Sequence, residues 1–171
     1  MPNHLSILGI IHTAISVFAL IAAFAALSQA GKIDPKSGTG KLYILLTIIT
    51  CVTGFPIMKT GHPTGGHYLG IIIMILLPLG IYAIRLFGKA AAYIQLIIMS
   101  TTLFLSMIPA IIETLTRLPI SHPLAAGPND PLIQKALSAL LLLYLVGVCY
   151  QVIKLRSQKK AERIAAGISN T

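Results

Sequence analysis

Lys59-Thr-Gly-His-Pro-Thr-Gly-Gly-His-Tyr68 separates two long apolar runs, and its reading decides how the chain is divided. With three glycines and a proline in ten residues it cannot continue a helix. It is therefore a loop, and residues 42–58 and 68–86 on either side of it are separate helices. Working outward, the lysine-bearing polar stretch Gly31 to Lys41 parts residues 42–58 from a first apolar run at residues 5–27. On the other side, Arg85 and Lys89 end the third run and a fourth covers residues 91–115. The proline-rich loop from Arg117 to Pro131 leads into a fifth at residues 132–152, and residues 154–171 form a basic, polar tail that reads as a frayed helix at the membrane surface.

The hydrophobic share is 56%, the charged share 10% and the mean hydropathy +0.86. A soluble domain is not built from that mixture, whereas apolar runs of about 20 residues are what a bilayer core requires. The expected fold is all-α, an integral membrane bundle of five transmembrane helices. Residues 5–27 read as a retained span, because the polar tip before them lacks the basic residues of a signal peptide.

Lys and Arg set the expected orientation. Lys32, Lys36, Lys41, Arg85, Lys89, Lys154, Arg156, Lys159, Lys160 and Arg163 collect on one side, against Lys59, Arg117 and Lys135 on the other. Ten against three puts the C-terminus in the cytoplasm and the N-terminus outside. The net charge of +9 then reflects this bias meeting anionic lipid, so membrane lipids are the expected surroundings and nucleic acid is not. Other membrane subunits or a second copy of the chain are the candidate protein partners.

In that arrangement His4, His62, His67 and His122 lie in the outer loops, His12 lies just inside the first span, and Glu113 joins them from the fourth. Imidazole is a ligand for Zn, Cu and Fe, and haem takes one or two axial imidazoles. His12 and His67 are the expected haem pair. His12, His62, His67, Glu113 and His122 are the candidate set for a transition-metal ion. Against this stand plainer readings: loop histidines are usually solvated, and Glu113 is placed to pair with Arg117 one turn on. His12 differs, since an ionisable group within a span is costly and marks a functional candidate.

Two stripes accompany the histidines. Gly9, His12, Ser16, Ala19, Ala23 and Ala26 share one face of the first helix, where small residues allow close packing. Gln95, Met99, Thr102, Ser106, Pro109 and Glu113 make a polar line along the fourth. Cys51 and Cys149 fall at different depths, so no disulfide is expected. The chain carries no CxxC, no phosphate-binding glycine loop and no Ser-His-Asp order.

The run Gly31-Lys-Ile-Asp-Pro-Lys-Ser-Gly-Thr-Gly-Lys-Leu-Tyr43, with Thr53-Gly54-Phe55 and His67-Tyr-Leu-Gly70, resembles small bacterial inner-membrane proteins of unassigned function. The resemblance implies a bacterial inner-membrane location and no particular activity. The expected function, drawn from the histidines, is a redox or metal-handling membrane protein holding haem b or a Cu, Zn or Fe ion at the outer end of the bundle. The alternatives are an accessory subunit of a larger membrane complex and a small proton-coupled transporter.

Overall fold

The computed structural model describes residues 6–57 and 61–168, and among them every regular element is a helix. These are α1 (Ile7–Ala30), α2 (Gly38–Gly54), α3 (Gly65–Leu86), a 3-10 turn (Gly88–Ala90), α4 (Ala91–Arg117) and α5 (Pro131–Ile168). By length and composition α1, α3, α4 with its preceding turn, and α5 are each long and apolar enough to cross a membrane. α2 is apolar but has 17 residues. At about 1.5 Å per residue it is about 26 Å long, against a hydrocarbon core of about 30 Å.

Capping side chains move the helix starts away from where hydropathy alone puts them. The Ser6 hydroxyl accepts from Gly9 N–H at the head of α1, and Gly31, left-handed at φ 70°, closes its tail by donating to the Leu27 carbonyl. Ser37 caps α2 by accepting from Gly40 N–H at 3.0 Å. The helix therefore begins within the polar loop, four residues before the expected residue 42, and it ends before Pro56. The expected Met58 end lies outside the described residues. α3 begins at Gly65, ahead of the expected Tyr68, for a reason that involves His67 and is given below.

α5 runs 38 residues without a break, through the basic stretch expected as a frayed helical tail. Lys, Arg, Gln, Ala and Glu are all good helix formers, and no Gly or Pro interrupts residues 148–166. Its start is fixed by Asp130, whose carboxylate accepts from Leu132 N–H at 2.9 Å and Ala126 N–H at 3.0 Å, with Pro131 in the first helical position.

α1 and α2 form one antiparallel hairpin and α3 and α4 a second, with α5 along the outer side of α4. The α1 seam is made of small residues: Gly9, Ala19, Ala22, Ala23 and Ala26 are buried against neighbouring helices. At the α3–α4 contact Gly80 plays the same part, since a Cβ there would lie 2.9 Å from the Met99 sulfur and 3.1 Å from Ile98. Polar groups stitch the bundle. Tyr43, fully buried on α2, donates to Thr102 on α4 at 2.9 Å, and Gln95 donates to the Gly80 carbonyl at 2.9 Å. Ser100 donates to Gln151 of α5, which in turn donates to the Gly31 carbonyl at the end of α1. Such bonds contribute about 0.6 kcal/mol each inside membranes, so close packing of small residues carries more of the stability than the polar stripe does.

Candidate functional site

The last turn of α2 is gripped from both sides by histidines. From α1, His12 reaches Thr53: its Nδ1 lies 3.2 Å from Thr53 Oγ1. The Thr53 hydroxyl hydrogen is engaged elsewhere, directed at the carbonyls of Ile49 (2.8 Å) and Thr50 (3.1 Å). Thr53 Oγ1 can therefore only accept, which makes Nδ1 the donor to it. The ring has a second hydrogen-bond partner in the Thr50 carbonyl, which can only accept. The half-buried ring packs over Gly54, where a Cβ would come within 3.0 Å of Cε1. Glu113 on α4 is near enough to act on the ring electrostatically, and it is itself ion-paired with Arg117 one turn along its own helix.

From α3, His67 reaches the neighbouring residue. Thr64 N–H donates to its Nδ1 at 3.0 Å, and its Nε2–H donates to the Phe55 carbonyl at 3.2 Å. Because a backbone N–H can only donate and a carbonyl can only accept, Nδ1 accepts here, whereas in His12 it donates. The first bond is the returning half of a capping box, with a histidine where Glu or Gln is usual, and it starts α3 at Gly65. The second satisfies a carbonyl beyond the end of α2 that has no helical partner. Buried to 9% exposure, with its ring 6.5 Å from that of Phe55, His67 ties the α2–α3 connection shut at both ends.

The remaining candidates lie apart. His62 and His122 are exposed, and His4 lies outside the described residues. Among the described residues no three His, Cys, Asp or Glu side chains come close enough together to hold a metal ion. A haem or metal bound by His67 would have to displace one of its two main-chain bonds. Of the residues expected as ligands, His12 and Glu113 lie within electrostatic reach of each other. Cys51 and Cys149 are both free thiols.

Sequence reasoning passed over Thr53, Tyr43 and Gln151. Thr53 lies three residues from Thr50, close to the polar side of α2, and that spacing was the available signal. Thr47 and Thr50 extend the polar line from Thr53 toward Tyr43, and their buried hydroxyls have no hydrogen-bond partner among the described residues. Hydroxyls thus run along α2 from the His12 site to the Tyr43–Thr102 pair at the heart of the bundle. No protein family, curated protein or solved structure matches this chain.

Proposed function

We propose that this is a small proton-coupled carrier of the bacterial inner membrane, in which His12 beside Glu113 takes up and releases the proton. The observation that carries the reading is the half-buried His12 ring within a helix long and apolar enough to cross a membrane, in electrostatic reach of Glu113. Its Nδ1 is fixed on Thr53, a carboxylate acts on the ring, and imidazole changes charge near neutral pH. A protonated ring here is a second charge within a membrane span, and its arrival or loss changes the balance between the α1–α2 hairpin and α4. The hydroxyls of Thr53, Thr50, Thr47 and Tyr43 supply a polar lining from that site into the bundle.

The topology that goes with this function has five crossings, the N-terminus outside and the C-terminus cytoplasmic. It is supported by the ten-to-three bias of basic residues and by α2, which returns antiparallel along α1 until Thr53 stands beside His12. Reporter fusions at the C-terminus and near Thr64 should report opposite compartments. Both in the cytoplasm would remove the topology.

The proton reading is tested in everted vesicles carrying a pH gradient. Small organic and inorganic cations are added in turn, and dissipation of the gradient is compared between wild type and H12A. At least one substrate should dissipate the gradient in wild type and not in H12A. A metal or haem reading keeps one specific support, an imidazole at position 12 inside a span-length helix. A Soret band, or stoichiometric Cu, Zn or Fe, lost on His12→Ala would put that reading ahead. If wild type and H12A agree in every one of these measurements, the accessory-subunit reading stands instead.

A further inference from the structure

We propose that the surface where α5 leaves the apolar layer, beside the C-terminal end of α1, is a binding site for an anionic phospholipid, with the lipid phosphate on Lys154 and an acyl chain along Tyr150 and Ile153. α5 changes character at this point. Up to Ile153 it is almost wholly apolar, and Lys154, Arg156, Lys159, Lys160 and Arg163 then follow, with Glu162 the one acid among them. A surface groove of about 400 Å³ lies across the change, lined by Tyr150, Ile153, Lys154, Ser157, Gln158 and Ala161. Steps of three and four residues put all six on one face of the helix.

The lining is ordered as a phospholipid is ordered. Tyr150 and Ile153, 61% and 68% exposed, continue the apolar body of the helix, and the cation, hydroxyl and amide of Lys154, Ser157 and Gln158 come next along the axis. A free phosphate has no use for the first pair, and an acidic protein surface has little. Lys154 is held by the α1–α5 junction: Gln151 binds the Gly31 carbonyl at 2.9 Å, and the Lys154 ammonium sits over Gly31, where a Cβ would lie 3.1 Å away. Among the described residues no acidic side chain pairs with it. Lys32 shares with Lys154 a small adjoining pocket and supplies a second cation. Lys159 is turned away, its ammonium 4.6 Å from the centre of the Tyr93 ring. The site is thus a positioned pair of cations with an apolar track leading to it, which a diffuse basic surface does not provide.

The test uses the full-length protein, purified in detergent and stripped of lipid. Phosphatidylglycerol and phosphatidylcholine with identical chains are titrated in, and bound copies are counted by native mass spectrometry. Two cations near the phosphate should make phosphatidylglycerol at least about tenfold the tighter ligand, and Lys154→Ala should weaken it about fivefold. Lys36→Ala, on the same end of the bundle but outside the groove, should leave the affinity unchanged, and millimolar glycerol phosphate should not displace the lipid. Equal affinity for the two lipids, an equal loss in K36A and K154A, or displacement by glycerol phosphate would each overturn the proposal.

Discussion

His12 and His67 hold the same turn of α2, one through Thr53 and the other through Phe55 two residues on, yet they are chemically opposite. His67 spends both ring nitrogens on the main chain: an N–H that starts α3 and a carbonyl left over from α2. Neither nitrogen can take an ion without breaking a structural bond. His12 binds a side-chain hydroxyl and the Thr50 carbonyl within α2, in electrostatic reach of a carboxylate from another helix. In a histidine-rich membrane protein, what a ring's bonds hold in place separates structure from chemistry. A ring spent on starting one helix and closing another fixes a fold, and a ring inside a span near a charge leaves something to do.

The difference predicts its largest effect in function. H12A should reduce proton-linked substrate movement to the level of empty vesicles, and Glu113→Gln should reduce it strongly, whereas H67A, at matched levels of folded protein, should retain most of it. Vesicle transport with quantified insertion measures all three. Equal losses in H12A and H67A would erase the distinction.

A second test disturbs His12 without removing it. Gly54 has no side chain where the ring lies, and a Cβ would approach Cε1 to 3.0 Å. Gly54→Val should push the ring off Thr53 and cost about 1–3 kcal/mol, as overpacking does. Loss of most activity with retention of fold, judged by a thermal shift in detergent, is the expected result. Full activity would mean that Thr53 does not set the position of the ring.

For His67 the expected loss is one of stability. Alanine removes a cap contribution of about 1 kcal/mol and leaves the Phe55 carbonyl unpaired, a further cost of about 1–3 kcal/mol if water does not reach it. Glutamine is at home in this position of a capping box, so His67→Gln should recover part of the loss that H67A shows. Thermal unfolding of the two variants in the same detergent compares them. Identical midpoints would mean that the Thr64 bond contributes nothing.

The apolar runs made the helices legible in the sequence, because about 20 residues without charge leave few other structures in a membrane. The ends were less legible, since caps at Ser37, Thr64 and Asp130 start helices through one or two hydrogen bonds that hydropathy averages do not register. The basic stretch of α5 reads as a frayed helical tail for the same reason, although its residues are good helix formers. At the site, the position of His12 inside a span was readable, but the role of its Nδ1 was not. That depended on where the Thr53 hydroxyl points, which is a matter of packing between α1 and α2. His67 reads two ways, because a histidine three residues after Thr64 has the spacing of a capping box and also stands like a ligand at a loop end.

The smallest expected effect concerns the carboxylate at the start of α5, and it guards the assignment of any pH-dependent transition. The Leu132 and Ala126 N–H groups donate to Asp130 and hold its carboxyl below the usual carboxylate value. A group whose acid constant is depressed by folding stabilises the protein above its unfolded value, near pH 4, and that stability is lost as the pH falls through the folded value. Asp130→Asn should therefore lower the thermal midpoint slightly at pH 7, with the gap to wild type narrowing only in acid below about pH 4. Imidazole titrates between about pH 5 and 8. A transition in that range that survives in D130N and vanishes in H12A belongs to His12, whereas one that vanishes in D130N would move the pH-sensitive element from the His12 site to the loop before α5.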